Sequence, residues 1–367
     1  MKKFILSVLM LLSLLTTSIA QEGFKITGQL GGTLGGNLFL IAKGEQGTVK
    51  LGETVMTNGN FEFKGSVSGL TVAYIKTAEN KTIATLMLEN RDFTLRTGEY
   101  GIVVEGGEAQ KVLNEFNAIN KKISREKFRM KQEARAAYAQ QNQMKMQSLQ
   151  QQFQKMMEEV QVKQEKLMKI HKDSPVAAFM VASTMFHMDF ELLTESFNSL
   201  GENAKKSSFG KDIQIRLKQL SKVVVGAIAP NFKATTQNND TLSLYEIKAK
   251  VKLVDFWASW CQPCRQEMSH LRKIYQKYHK KGLEIIGFSL DKKKQDWVKA
   301  IQDDKMDWKN ISDLKGPSSD IANLYCVKSI PHVLLLDENN RILYKNLRGK
   351  KLEKKIKEIL VRKGRGE

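Results

Sequence analysis

The chain has 367 residues, 41% of them apolar, and a formal net charge of +20, so it can bury more than one hydrophobic core. Its basic residues are spread along the whole sequence without interleaved aromatic residues to stack bases, which favours a solvated basic surface over a nucleic-acid-binding role. Three cysteines are too few for a secreted domain stapled by several disulfides, so the cysteine pattern indicates chemistry rather than scaffolding.

The first twenty residues have the layout of a secretory signal peptide. Two lysines precede a largely apolar run that ends at Leu15, and small and polar residues follow up to Ala20. The apolar run is too short to span a bilayer comfortably, which favours cleavage after Ala20 over an uncleaved anchor. We therefore expect residues 1–20 to be removed on export and the mature protein to act in the periplasm or elsewhere in the cell envelope.

Residues 21–107 carry the signals of short strands and tight turns. Apolar and polar residues alternate from Phe24 to Gly28, and Asn58-Gly59 separates two strand-like segments, which is a strong hairpin signal. The glycines do not have the spacing of a dinucleotide-binding loop. This region therefore predicts an antiparallel β-sandwich domain. Further candidate strands cover 38–41, 83–88, 93–95 and 102–104.

Residues 108–225 predict a helical region. No Gly or Pro occurs between Glu108 and His171, where good helix formers dominate and apolar residues recur at three- and four-residue steps. The pattern weakens between Gln140 and Gln147, where we expect a hairpin turn, and its spacing allows a homodimer through coiled-coil-like packing. The methionines here are interpreted as packing residues rather than a metal-binding stripe. Shorter helices are expected at 175–186, 191–200 and 211–222.

Residues 226–367 alternate between strand and helix signals, which predicts an α/β domain with a central sheet covered by helices on both faces. The expected strands are 252–256, 283–289, 333–336 and 342–344. The expected helices are the segment from Cys264 to about His279, then 295–303, 319–325 and 352–361.

Cys261 and Cys264 enclose Gln-Pro directly after an apolar strand. We expect Cys261 at the N-terminus of the following helix, where unpaired backbone N–H groups and the helix dipole stabilise a thiolate. Cys264 then lies one turn further, within reach of a mixed disulfide on Cys261. The alternative is a zinc knuckle, but structural zinc commonly takes two such pairs, and only Cys326 and scattered histidines remain. The motif indicates dithiol chemistry without a metal or cofactor.

Several segments carry a family resemblance. Asp-Phe-Trp-Ala at 255–258 leads into Trp-Cys-Gln-Pro-Cys at 260–264, and Cys-Arg-Gln-Glu follows at 264–267. Gly-Ala-Ile-Ala-Pro-Asn-Phe stands at 226–232, and the segment 325–331 ends in Pro331. Together they resemble the TlpA/ResA-type redoxins of the AhpC/TSA group in the thioredoxin superfamily. The β region with its helical insertion resembles an uncharacterised domain that precedes such redoxins in Gram-negative envelopes.

The resemblance implies a role for each matching residue around the dithiol. Cys261 matches the attacking thiol and Cys264 the resolving thiol. Pro331 matches the cis-proline that keeps the dithiol accessible and, together with Ile330, offers backbone to an extended substrate. Trp260 is expected to shield the site and to contact the substrate, with plain packing as the alternative.

Two carboxylates and one further cysteine have roles that the resemblance leaves less defined. Asp255 matches a buried acid that moves the proton of the resolving thiol, and Glu267 matches an acid near the dithiol. The alternative for Glu267 is an exposed helical carboxylate. Ser269 replaces the usual proline, which predicts a softer helix kink. Cys326 is either a spare buried thiol or a thiol reactive enough to cap the dithiol.

The resemblance implies an envelope thiol–disulfide oxidoreductase that acts on disulfide-containing proteins. The Gln-Pro dipeptide between the cysteines resembles that of family members that act as reductants. The implied partners are a membrane thiol electron donor and substrates such as apocytochrome c in cytochrome c biogenesis. A peroxidase is a second hypothesis, but its site needs Thr and Pro shortly before the reactive cysteine. A third hypothesis is a binding or scaffolding protein with a secondary redox role.

Overall fold

The computed structural model describes residues 23–31, 35–44, 47–99 and 101–364, and the expected signal peptide lies outside them. The described residues form two compact units, which are divided after Val176. The expected helical region is divided between them, while the domain limits at 107/108 and 225/226 stay predictions. Among the described residues, no helix is long and apolar enough to cross a membrane.

The first unit contains two four-stranded sheets, with strand orders β4-β1-β7-β8 and β3-β2-β5-β6. Every strand pair is antiparallel except β1 with β7, which is parallel. The strands are β1 Phe24–Gln29, β2 Gly36–Gly44, β3 Gly47–Met56, β4 Asn60–Gly65, β5 Thr71–Thr77, β6 Thr82–Leu88, β7 Asp92–Gly98 and β8 Gly101–Glu105.

Alternating apolar residues from both sheets meet in one core, as the sandwich prediction requires. Phe24 and Ile26 of β1 pack with Leu38 and Leu40 of β2 in this cluster. The predicted Asn-Gly hairpin is confirmed, because Asn58 and Gly59 both have positive φ, 50° and 79°, as the tight hairpin turn demands. The sequence did not reveal β5, whose burial pattern is not a simple alternation.

Two long helices follow in the same unit, α1 Glu108–Ala139 and α2 Gln143–Ile170. The turn between them lies where the helical pattern weakens, so the predicted hairpin is confirmed. Asn142 begins α2 with a side-chain cap, since its Oδ1 accepts a hydrogen bond from the Lys145 amide at 3.0 Å.

The second unit begins with short helices and continues into a seven-stranded sheet of order β10-β9-β13-β12-β11-β14-β15. The helices are α3 Pro175–Thr184, α4 Phe190–Asn198, α5 Glu202–Lys206, α6 Ser208–Leu220, α7 Gln262–Tyr278, α8 Lys294–Asp303, α9 Asp320–Leu324 and α10 Gly349–Gly364. The strands are β9 Lys233–Thr236, β10 Thr241–Ser243, β11 Val251–Trp257, β12 Leu283–Ser289, β13 Lys309–Ser312, β14 His332–Asp337 and β15 Ile342–Lys345.

The two central strands of this sheet, β11 and β12, are parallel, and all of their residues are buried. Full burial on both faces is typical of a sheet covered by helices on each side, which confirms the predicted α/β domain. The sequence missed β13, which is only four residues long and contains a single apolar residue.

The register of the sheet places the functional segments. β14 runs antiparallel to β11, and Phe256 pairs with His332. The residues that follow β11 and the residues that precede β14 therefore lie at the same edge of the sheet. This edge brings Cys261 and Pro331, which are far apart in sequence, to the same end of the domain.

Candidate active site

Cys261 and Cys264 are joined by a disulfide with their Cα atoms 5.3 Å apart. Cys261 is the N-cap of α7, and its Sγ accepts a hydrogen bond from the Cys264 amide at 3.3 Å. Pro263 lies in the first turn of this helix, where its missing N–H costs no helical hydrogen bond. The expected position of the dithiol at a helix N-terminus is therefore found, and the Cys264 amide points at the Cys261 sulfur.

The two sulfurs differ in access. Cys264 is fully buried, whereas Cys261 keeps 5% of its surface exposed. Trp260, directly before it, is 62% exposed, so it lies beside the dithiol as an open aromatic surface rather than as a core residue. An external disulfide or thiol can reach only Cys261.

Polar contacts hold the loop that carries Cys261. Asp291 accepts hydrogen bonds from the amide and the hydroxyl of Ser259. The Ser259 carbonyl accepts one from Arg265 Nη1 at 3.2 Å, and Arg265 also forms an ion pair with Asp304. This bracing fixes the backbone just before the attacking sulfur, which favours a preorganised site.

The peptide bond between Ile330 and Pro331 is cis, as the resemblance implied. Both residues are half-buried and precede β14, at the sheet edge described above. The Pro331 carbonyl accepts a hydrogen bond from Arg348 Nη2 at 2.7 Å. Arg348 lies in the short segment between β15 and α10.

Asp255 is a buried acid on β11, with 2% of its surface exposed. Among the described residues, its Oδ1 has no hydrogen-bond partner. The pKa of Asp255 is raised to about 7, mainly by burial and then by the negative charge of Glu267, while the positive charge of Arg348 lowers it. A carboxyl with this pKa exchanges protons readily near neutral pH.

Glu267 lies on α7 three residues after Cys264, on the same helical face. It is half-buried, and its Oε1 accepts a hydrogen bond from the Gly349 amide at 2.9 Å. Glu267 therefore links the active-site helix to the beginning of α10, which differs from the alternative of a fully exposed carboxylate.

His332 packs against the Phe256 ring, with ring centroids 6.0 Å apart. Burial, and then the charges of Lys345 and Arg348, lower the pKa of His332 to about 4. The imidazole is therefore neutral near pH 7 and does not exchange protons there.

Cys326 is a free, buried cysteine in the left-handed backbone region, with φ 55°. Its Sγ accepts a hydrogen bond from Arg216 Nη1 of α6 at 3.1 Å. Arg216 is itself 4% exposed. Cys326 thus occupies a structured contact between α6 and the loop before the cis-proline, and the two alternatives for its role stay open.

The structure gathers the expected site residues at one edge of the sheet and adds residues that the sequence did not single out. Asp291 follows the end of β12, and a polar residue after a buried parallel strand is a signal that could have identified it. Arg348 has no such signal, because its role depends on where α10 begins relative to Pro331.

Two family models match the chain. Residues 225–345 match the AhpC/TSA family, and residues 24–113 match a domain of unknown function, DUF4369. These two segments correspond to the α/β part and to the β-sandwich with the beginning of α1.

Curated relatives match about a third of the chain. The thiol-disulfide oxidoreductase ResA of Bacillus cereus is 30% identical over 132 residues, which cover 34% of this chain and 70% of ResA. The thioredoxin-like protein YneN of Bacillus subtilis is 34% identical over 119 residues, which cover 32% of this chain and 68% of YneN.

A solved structure, the thioredoxin domain of a thiol-disulfide oxidoreductase from Bacteroides vulgatus, is 34% identical, and the match covers 37% of this chain and 98% of that domain, with a TM-score of 0.36. The segment that matches the AhpC/TSA family contains the helix-capping dithiol, the cis-proline and the buried acid. The chain therefore belongs to the TlpA/ResA-type redoxins of the thioredoxin superfamily and is a protein-disulfide oxidoreductase.

Proposed function

We propose that this protein reduces protein disulfides in the cell envelope by dithiol exchange at Cys261 and Cys264. The observation that carries the proposal is the arrangement of a reachable sulfur, a fully buried sulfur and a buried acid. Cys261 caps α7 and keeps 5% of its surface exposed, Cys264 is fully buried, and the Asp255 carboxyl has a pKa of about 7. Each of these features serves a different step of the exchange.

In the first step the reduced protein attacks its substrate. The Cys261 thiolate, stabilised by backbone N–H groups at the start of α7, attacks one sulfur of the substrate disulfide. A bond forms between Cys261 and that sulfur, the substrate S–S bond breaks, and the other substrate sulfur leaves as a thiolate that takes a proton from water. The product is a mixed disulfide.

In the second step Cys264 resolves the mixed disulfide. The Asp255 carboxylate accepts the Cys264 proton, and the resulting thiolate attacks the Cys261 sulfur. The Cys261–Cys264 disulfide forms and the second substrate sulfur leaves, taking the proton from Asp255. The substrate has gained two electrons and two protons, and a dithiol donor must return the protein to its reduced state.

An equilibrium redox titration of the Cys261–Cys264 pair in glutathione and dithiothreitol buffers tests the proposal. We expect a potential near that of thioredoxin, about −270 mV, for a protein that acts as a reductant. A Cys326→Ser variant serves as the control and is expected to titrate at the same potential. A value near that of DsbA, about −120 mV, would reverse the direction of electron flow, and the absence of a titrating pair would favour a binding role.

We further propose export through cleavage after Ala20 and partners that follow from the chemistry. The signal-like residues 1–20 support export, and the need for a dithiol donor supports a membrane thiol protein as the source of electrons. Proteins with disulfides, including apocytochrome c in cytochrome c biogenesis, are the proposed substrates. A mature protein whose mass includes residues 1–20 would contradict the cleavage.

The hairpin of α1 and α2 is proposed as a dimer interface between two copies of this chain. It exposes Phe128, Tyr138, Met144 and Val162, and long helices with exposed apolar side chains favour association. Sedimentation velocity should show a dimer that a Tyr138→Lys, Met144→Lys double variant converts into a monomer. A monomer for the unaltered protein at all concentrations would exclude the interface.

A further inference from the structure

The segment between β15 and α10 contacts three parts of the dithiol site. Arg348 Nη2 donates to the Pro331 carbonyl at 2.7 Å. Asn346 exchanges hydrogen bonds with Val333, its amide donating at 2.7 Å and its Oδ1 accepting at 3.3 Å. The Gly349 amide donates to Glu267 Oε1 at 2.9 Å. We call residues 346–349 the C-terminal clamp.

The clamp contacts two residues that influence Asp255, one on the neighbouring strand β14 and one on helix α7. Val333, which Asn346 holds, is the residue that pairs with Asp255 in the sheet. Glu267, which Gly349 contacts, is the acid whose charge acts on Asp255. The clamp therefore joins the strand next to Asp255 to the helix that carries the dithiol.

Among the described residues, the charges that act on Asp255 come from α7 and from the clamp. From α7 the negative charge of Glu267 acts on it, and from the clamp the positive charge of Arg348 acts on it in the opposite sense. The neighbouring strands present Gly287 of β12 and Val333 of β14 in register with Asp255, and neither residue titrates. The dithiol itself is present as a disulfide in this structure and is uncharged.

The positive charge of Arg348 is not neutralised by an ion pair with a described carboxylate. In the part of the chain that the structure describes, no carboxylate lies within ion-pair distance of its guanidinium. The side chain is exposed, yet one of its donors is fixed on the Pro331 carbonyl. A guanidinium can donate to this carbonyl while its positive charge continues to act on Asp255.

We propose that Arg348 is a positioning residue of the exchange reaction, which fixes the cis-proline through the Pro331 carbonyl and places a positive charge toward the buried Asp255. This inference rests on the proposed function, in which Asp255 accepts the proton of Cys264. Arg348 offsets the charge of Glu267, so that Asp255 ionises at a pH where the enzyme can use it. It does so without touching the reacting sulfurs.

The resolving step can be measured by itself with 5,5′-dithiobis(2-nitrobenzoate). The reduced protein, in a Cys326→Ser background, reacts with one equivalent of this disulfide, and Cys261 releases the first nitrothiolate. Attack by Cys264 then releases the second. The rate of the second release between pH 5.5 and pH 9 gives the ionisation midpoint of the group that accepts the Cys264 proton.

Arg348→Gln removes the positive charge, and Arg348→Lys keeps the charge but lacks the planar guanidinium. Arg341→Gln is the matched control. Arg341 is also exposed and donates to a backbone carbonyl, that of Gly226, away from the dithiol. We expect the Arg348→Gln midpoint to rise by about half a unit to one unit. Its resolving rate at the optimum is expected to fall roughly three- to tenfold.

Arg348→Lys should keep the midpoint of the unaltered protein and lose only part of the rate, and Arg341→Gln should change neither. An Arg348→Gln midpoint equal to that of Arg341→Gln would overturn the proposal, as would equal shifts in Arg348→Gln and Arg348→Lys. If the unaltered protein releases no second nitrothiolate, or releases it without a midpoint near pH 7, the proposed function fails instead. Tryptophan fluorescence of each variant verifies folding, since all four tryptophans, 257, 260, 297 and 308, lie in the α/β part.

Discussion

Replacing Asp255 by asparagine is expected to raise the free energy of unfolding at pH 8 by about 4 kcal/mol. The pKa of Asp255 is about 7 in the folded protein and 3.8 in its ordinary state. Between these pH values the folded protein holds a proton that the unfolded chain has lost, so stability falls as the pH rises from 3.8 to about 7. Asparagine removes this penalty because it has no charge to bury.

The gain is measured by urea unfolding of the oxidised protein, followed by tryptophan fluorescence, at pH 5 and at pH 8. The Asp255→Asn variant and the unaltered protein should differ less at pH 5, where most of the Asp255 carboxyl in the folded protein is protonated. The matched control is Glu353→Gln, because Lys277 at 2.7 Å lowers the pKa of Glu353 and its loss should bring no gain at pH 8. A gain for Asp255→Asn that is the same at both pH values would contradict the buried-charge explanation.

The same variant should resolve mixed disulfides about 10²-fold more slowly, because no carboxylate is left to accept the Cys264 proton. A substitution that stabilises the fold while slowing the reaction is the pattern expected of a residue retained for function. Among the described residues, Oδ1 of Asp255 has no hydrogen-bond partner. We therefore interpret the buried Asp255 carboxyl as a group that lowers stability and is needed to accept the Cys264 proton.

Exchanging the two cysteines for serine one at a time is expected to give different products. Cys261→Ser should lose at least about 10³-fold in kcat/KM for insulin reduction, since it lacks the nucleophile. Cys264→Ser should attack insulin and then stop, because the resolving thiol is gone. It accumulates as a mixed disulfide between Cys261 and the substrate.

Non-reducing electrophoresis and mass spectrometry of the trapped adduct test this difference. Both variants are made in a Cys326→Ser background, so that any adduct must involve the dithiol motif. The prediction follows from access, since Cys264 is fully buried and only Cys261 retains exposed surface. Adducts of equal yield in the two variants would show that either sulfur can attack, and would remove the distinct roles assigned to them.

The sequence by itself determined the elements whose signals are local. Asn58-Gly59 needs only its own two residues to form a tight turn, and the loss of helical periodicity after Gln140 marks the hairpin because helix formation depends on neighbours within a turn. The dithiol is equally local: an apolar strand followed by Cys-x-x-Cys with Pro263 places Cys261 at a helix N-terminus in any fold of this type. Strands β5, β9, β10 and β13 were missed because their residues carry no clear periodicity or are too few.

Only the tertiary structure decided how the remaining site residues act. The pKa of Asp255 depends on how completely packing excludes water and on charges from α7 and the clamp, residues that are 12 and 93 positions away in the chain. Glu267 binds the Gly349 amide, and Arg348 binds the Pro331 carbonyl, because antiparallel pairing of β14 with β11 and the start of α10 converge at one edge of the sheet. Electrostatic and hydrogen-bonding partners are set by distance in space, and a sequence records only distance along the chain.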